Sequence, residues 1–289
     1  MYIILGKNGY IAKSIIKELN LRKLHFIALS RSDLDYTNFK TFSDFYNTKY
    51  NCASTPTKNS VIINCAGYVG KPNVDACELN KSDTIMGNVV FPTNLANHCS
   101  VNSSTLVQIS SGCVYNGYDK HFSEDDEPNF SFQNGSFYSG TKALCEKMIL
   151  KHNPRSYIFR LRIPFDEFKN HRNYLTKLLS YDKLLNVENS LTHRGDFSKY
   201  LIDLLEAKAP HGIYNITNKG SVTTKEVVEI IKKHNLTNKK FKFFENLDSF
   251  NKEVKAPRSN CILNTSKIEQ YIKIRSAKDA LIDSIQNYS

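Results

Sequence analysis

Short apolar blocks separated by stretches of helical periodicity organise the first 160 residues. Residues 2–5, 26–29, 61–64, 105–109 and 157–161 are apolar runs without polar alternation, the pattern of strands buried on both faces. Between them, Ile11, Ile15, Ile16 and Leu19 recur at helical spacing and predict a helix over 12–19; similar patterns cover 39–47, 75–80 and 84–100. Strands alternating with helices predict an α/β fold with a Rossmann-type, doubly wound parallel sheet. After Pro164 the alternation stops. Helical patterns at 170–180, 196–207, 223–234 and 276–286, with short strands near 212–216 and 241–244, predict a smaller, mostly helical lobe. The expected division is 1–164 for dinucleotide binding and 165–289 for substrate. No Pro/Gly/Ser linker separates the two parts, so they are expected to share a cleft.

Composition narrows the class. Of 289 residues, 40% are hydrophobic and 23% charged, an ordinary globular balance. No run approaches the roughly 18 apolar residues of a membrane span, and residues 2–5 follow Met1 without a basic leader, so neither a membrane nor a secretory signal is expected. Seven cysteines (52, 65, 77, 99, 113, 145, 261) are odd in number and lack a Cys-x-x-Cys pair. That argues against a disulfide framework and a structural metal, and for a reducing cytoplasm. The net charge of +11 comes from dispersed lysines without an aromatic-basic motif. Most of it reads as a solvated surface, with steering of anionic nucleotides as the functional alternative, and not as a nucleic-acid interface.

Candidate chemistry begins at the N-terminus. Gly6-x-x-Gly9-x-x-Ala12 lies between the first strand and first helix, where backbone N–H groups approach a pyrophosphate; Asn8, Tyr10 and Ile11 belong to the same turn. The second strand ends in Ser30-Arg31-Ser-Asp33-Leu34. An arginine there suits a 2′-phosphate and favours NADPH over NADH, with Asp33 and Leu34 flanking the adenine. Asn64-Cys65-Ala66-Gly67 follows the third strand, where a cofactor ribose would pass. The next loop offers Gly70, Lys71 and Asn73 to a sugar or diphosphate, or merely shapes itself. Tyr138 and Lys142 stand one helical turn apart. An ammonium beside a phenol is expected to pull the tyrosine pKa down from about 10. Ser111 upstream supplies a hydroxyl for a carbonyl, while Ser110 should point away if the strand is regular.

These elements together resemble an extended short-chain dehydrogenase/reductase acting on nucleotide sugars. More narrowly, Gly70-Lys-Pro-Asn-Val-Asp75, Glu127-Pro-Asn129, Ser136-Phe-Tyr-Ser-Gly-Thr-Lys142, Arg172-Asn-Tyr-Leu-Thr-Lys177, Tyr181-Asp-Lys183 and Gly212-Ile-Tyr-Asn-Ile-Thr-Asn218 resemble a bifunctional family. Its members are the UDP-4-keto-6-deoxyglucose 3,5-epimerase/4-reductases that form UDP-L-rhamnose in plants and some giant viruses. The resemblance runs from the first strand to about residue 235. It implies that Cys113 and Lys177 exchange protons at C3 and C5, and that Tyr138, Lys142 and Ser111 serve reduction at C4 by NADPH. It further implies that Asn88 supports the lysine, that Arg162 and Arg194 clamp the UDP diphosphate, and that the protein is a homodimer. Two alternatives stay open: a plain 4-keto reductase on a UDP or dTDP carrier, and a non-catalytic Rossmann binding protein. A 4,6-dehydratase is disfavoured, because Gly-Cys-Val after Ser111 lacks the Asp-Glu pair of such enzymes.

Overall fold

The computed structural model describes residues 1–50 and 60–289. Six strands form one parallel sheet in the spatial order Gly212–Asn215, Tyr157–Leu161, Thr105–Ser111, Val61–Asn64, Tyr2–Leu5 and Phe26–Leu29. The first five apolar blocks are therefore strands of this sheet, with the fourth running on to Ser111. Both sheet faces are covered. One apolar cluster includes Ile4, Ile15, Ile63, Val107 and Phe159, and the other Ile3, Leu5, Ile62, Leu106 and Ile158. The alternation of neighbours along each strand between clusters is why these blocks are apolar throughout.

The chain does not keep to the expected division at residue 164. Gly212–Asn215, expected in the second lobe, pairs in parallel with Tyr157–Leu161 as the sheet's outer strand. The helix Arg194–Glu206 also packs with the first helix, Tyr10–Leu21. There Arg22 bonds Asp203 and Glu206, each at 2.7 Å. A four-residue strand carries no periodicity that reveals which sheet it joins. The remainder, including Tyr174–Ser180, Thr224–Lys233 and Ala277–Gln286, closes around its own core with Phe165, Leu175, Val227 and Leu281.

Two further departures have local causes. The helix expected over 84–100 is divided into Lys81–Ile85, a π-helical turn Met86–Val90 and Phe91–Val101. Pro92 has no N–H to give the carbonyl of Asn88 four residues back, so the wide turn forms where that bond is missing. The strand Gly117–Phe122, which pairs with Cys261–Leu263, was not anticipated. Its Tyr-Asp-Lys-His interior is exposed and lacks an apolar pattern. Among the described residues no helix is long and apolar enough to cross a membrane.

His98 gives the fold a built-in pH response. It is 3% exposed, with Tyr46 and Phe42 edge-on at 4.6 and 5.0 Å between ring centroids. Burial pushes its pKa down to about 4. The unfolded chain takes up that proton below about pH 6.5, whereas the folded chain does not until about pH 4. His98 thus contributes stability that is full above pH 6.5 and is lost as pH falls towards 4. Urea unfolding at pH 7, 6 and 5 should show wild type losing up to about 1.4 kcal/mol per pH unit more than His98→Gln. Parallel pH profiles for the two proteins would refute this assignment.

Candidate functional site

The first strand ends in Gly6 at φ +84°, where a Cβ would come within 2.9 Å of the Ala66 nitrogen. Only glycine fits a left-handed residue pressed against another backbone. Gly9 donates its N–H to Gly6 O at 2.9 Å and caps the helix Tyr10–Leu21, whose fully buried Ala12 sits against the sheet. The turn therefore opens a helix N-terminus at the carboxyl edge of the sheet, beside Cys65, Ala66 and exposed Gly67. Asn8 is exposed there, and Ile11 packs on the core.

The other nucleotide-side candidates are employed differently from expectation. Asp33 pairs with Lys7 at 2.7 Å and accepts from Ser30 N and Oγ at 2.7 and 2.6 Å. These bonds hold its carboxyl well below the usual range, Lys7 foremost. Asp33 thus closes the turn onto the glycine loop instead of standing free beside an adenine, and Leu34 packs on the core. Arg31 is exposed at the tip. Lys7, inside the glycine turn, went unnoticed in the sequence because spacing alone does not pair it with Asp33.

Tyr10 and both proposed diphosphate clamps are structural fasteners. Tyr10 donates to Asp166 Oδ1 at 2.8 Å, while Arg194 pairs with Asp166, donates to Tyr10 O at 3.0 Å and stacks over the Tyr10 ring at 4.3 Å. This cluster bolts the glycine turn to the second lobe. Arg162 is 3% exposed; its guanidinium bonds Asn189 Oδ1 and the hydroxyl and carbonyl of Ser259. Both arginines satisfy buried acceptors, so neither is disposed as a diphosphate clamp.

The loop after the third strand is held by Asn88, presented by the π-helical turn. Asn88 Oδ1 accepts from Tyr68 N, and Nδ2 donates to Tyr68 O, each at 2.8 Å; Nδ2 also reaches Thr141 Oγ1 at 3.3 Å. It fixes the loop to the helix behind Lys142 and so supports instead of binding substrate. Gly70 adopts φ +70° where a Cβ would strike Asn73 O, and Asn73 Oδ1 accepts from Asp75 N at 2.8 Å. Asn73 shapes the loop, while Lys71 is exposed.

The helix Phe137–His152 is capped by Ser136 and carries Tyr138 and Lys142. Lys142 is 6% exposed; Nζ donates to Ile109 O at 3.1 Å and lies 5.9 Å from the Tyr138 ring centre. The phenol is pushed well above its ordinary pKa, by burial first, then by Cys113 and Cys77, with Arg172 opposing. This corrects the expected depression: desolvation of the phenolate dominates, and the Lys142 ammonium is engaged by the strand carbonyl. Ser111 Oγ caps the following turn, accepting from Cys113 N at 3.3 Å. Cys113 is half-buried and close enough to influence Tyr138 electrostatically. Lys177 is half-buried on Tyr174–Ser180, its pKa lowered by burial and by Arg172 and Arg258. Those arginines hold the neighbouring loop, Arg172 on Gly70 O at 3.3 Å and Arg258 on Asp75 at 2.8 Å. Neither was singled out in the sequence, since isolated arginines carry no spacing signal. Cys52 lies outside the described residues; the other six cysteines are free thiols.

Beneath the site lies a buried ion pair. Arg160 and Glu146 are 1% and 3% exposed, with Arg160 Nη2 on Glu146 Oε2 at 2.5 Å and Nε on both oxygens at 3.1 Å. Ser110 Oγ donates to the same carboxylate at 2.5 Å, so it does point away from Ser111's side. A charge inside the apolar run Tyr-Ile-Phe-Arg-Leu was the available signal, because a buried guanidinium demands a partner. Arg160→Leu, which strands the carboxylate, should cost about 3–5 kcal/mol in urea unfolding, and Glu146→Leu/Arg160→Leu should recover most of it. A double variant no better than the single would show that the pair itself is indispensable.

The RmlD substrate binding domain profile matches residues 1–289. A trifunctional UDP-glucose 4,6-dehydratase/UDP-4-keto-6-deoxy-D-glucose 3,5-epimerase/UDP-4-keto-L-rhamnose-reductase of Arabidopsis thaliana is 34% identical over 235 residues, covering 78% of this chain and 34% of that protein. The chain thus spans about a third of the length of these trifunctional relatives. A bifunctional dTDP-4-dehydrorhamnose 3,5-epimerase/dTDP-4-dehydrorhamnose reductase of the same plant is 34% identical over 234 residues, 78% of this chain and 76% of that one. The solved UDP-rhamnose synthase of Acanthamoeba polyphaga mimivirus shares the fold, with TM-score 0.87 and 23% identity over 99% of this chain and 98% of the other.

Proposed function

The chain belongs to the RmlD substrate binding domain family, and on that premise we propose an NADPH-dependent extended short-chain dehydrogenase/reductase that epimerises C3 and C5 of UDP-4-keto-6-deoxyglucose and then reduces C4. The observation that carries this reading is that Cys113 and Arg172 both act on the buried Tyr138 phenol while Arg172 also acts on Lys177, whose pKa is lowered.

The glycine cradle fits a dinucleotide, since a Cβ at Gly6 would close it against Ala66. Bound there, NADPH supplies the hydride. The residues do the rest. Hydrogens on C3 and C5 are acidified by the C4 carbonyl between them. Lys177, with its neutral amine made accessible by burial, and Cys113 take and return those protons on opposite faces of the ring. Ser111 and Tyr138 donate hydrogen bonds to the C4 oxygen while it bears enolate charge. After inversion, Tyr138 gives its proton to the same oxygen as C4 is reduced, with Lys142 at the nicotinamide ribose.

Incubation with UDP-4-keto-6-deoxyglucose in D₂O should place deuterium at C3 and C5 without NADPH, and yield UDP-L-rhamnose with it. Cys113→Ala should lose about 10²–10⁴-fold in exchange, and Tyr138→Phe a similar factor in reduction. Reduction without any exchange would make the chain a plain 4-keto reductase and leave Cys113 a packing role. Absence of both reactions would overturn the enzymatic reading.

A further inference from the structure

Lys7 and Asp33 meet where the glycine turn touches the end of the sheet strand Phe26–Leu29. The N–H groups of Gly6 and Lys7 both donate to Leu29 O, at 2.9 and 3.1 Å, so backbone bonds stitch the two segments together. Asp33 N and Leu34 N donate to Ser30 O at 3.1 and 3.2 Å, folding the next residues back over the junction. Lys7 Nζ then closes it on Asp33 at 2.7 Å. With side chains 35% and 37% exposed, such a pair adds little to folding stability. Its position gives it another use.

The bonds on Asp33 are one-sided. Oδ2 accepts from Lys7 Nζ, Ser30 N and Ser30 Oγ, while no donor among the described residues reaches Oδ1. The carboxylate is held by one oxygen and offers the other. An acidic residue about 20 residues past a dinucleotide-binding glycine turn accepts from the ribose 2′-hydroxyl of NAD, and a nearby arginine accommodates the 2′-phosphate of NADP. Asp33 and Arg31 put both devices on one short turn. Arg31 is exposed and forms no ion pair or hydrogen bond among the described residues.

A 2′-phosphate at this turn would meet the Asp33 carboxylate, and like charges a few ångströms apart repel. The neighbouring carboxylate, Asp35, is occupied by Thr37 N and Oγ1 at 3.3 and 2.5 Å. Asp33 is therefore the charge that decides, and Lys7 is the cation paired with it.

Building on the dinucleotide reading of the glycine turn, we propose that Lys7 is a specificity-determining residue for the cofactor. By holding Asp33 Oδ2 it offsets the repulsion of the carboxylate, so that Arg31 takes the 2′-phosphate and NADPH is preferred to NADH. Lys7 acts through Asp33 and makes no bond to the phosphate itself. Without Lys7 the bare carboxylate rejects the phosphate but still accepts a ribose hydroxyl.

Calorimetric titration of the full chain with NADPH and with NADH, at low salt and without sugar substrate, tests the proposal. Lys7→Met is expected to weaken NADPH binding by about tenfold and NADH binding by less than about threefold. Asp33→Asn keeps an acceptor for Ser30 N, so the double variant Lys7→Met/Asp33→Asn should return NADPH affinity to within about threefold of wild type. Unaltered NADPH binding by Lys7→Met would overturn the proposal. Equal weakening of both cofactors would do the same, placing the lysine at the pyrophosphate they share. A double variant as weak as Lys7→Met would put it on the 2′-phosphate and overturn the indirect role. Wild type that binds neither cofactor would overturn the dinucleotide reading as well.

Discussion

The ion pair of Glu146 with Arg160 is the constraint on which the candidate site rests. The carboxylate comes from the helix bearing Tyr138 and Lys142, the guanidinium from the neighbouring strand Tyr157–Leu161, and a third bond from Ser110, adjacent to Ser111. Arg160 Nη1 also donates to Tyr115 OH at 2.8 Å, and that hydroxyl bonds the carbonyls of Ser123 and Asp126. One buried charge pair therefore fixes the separation of the two segments that supply the proposed acid and the proposed carbonyl donor. Its net contribution to stability is small compared with the cost of breaking it, because both ions are already desolvated. What it specifies is geometry.

A second set of polar contacts sets how the lobes meet. Tyr10, Asp166 and Arg194 tie the glycine turn to the second lobe, and Arg162 ties the end of the Tyr157–Leu161 strand to Asn189 and Ser259. Charged groups that look from sequence like ligand clamps are here consumed by internal acceptors. Arg172 and Arg258 likewise hold internal acceptors, Gly70 O and Asp75, and both act on Lys177.

Legibility from sequence followed how local each signal was. Five strands of the central sheet were visible because each is a short run buried on both faces. The strand Gly212–Asn215 was visible as a strand but not as a member of that sheet, since pairing is a long-range property. The glycine turn, Ser111, Cys113, Tyr138, Lys142 and Lys177 were singled out through local motifs and family likeness. The parts played by Asp33, Arg162 and Arg194 were not, because each depends on a partner distant in sequence or across a turn. The expected fall in the Tyr138 pKa failed for a related reason. The i, i+4 spacing places Lys142 nearby but does not reveal that its Nζ is turned to Ile109 O.

Burial acts on the two proposed proton carriers in opposite directions. Removing water penalises charge, and the charged form of a phenol is its deprotonated one whereas that of an amine is its protonated one. Desolvation therefore raises Tyr138 and lowers Lys177, leaving an O–H donor at one and access to a neutral amine at the other. Arg172 favours phenolate and neutral amine alike, so it works with burial at Lys177 and against it at Tyr138. Burial is the larger influence at both. Burial alone accordingly supplies the opposite shifts that the proposed base for enolisation and the proposed acid for carbonyl reduction each require.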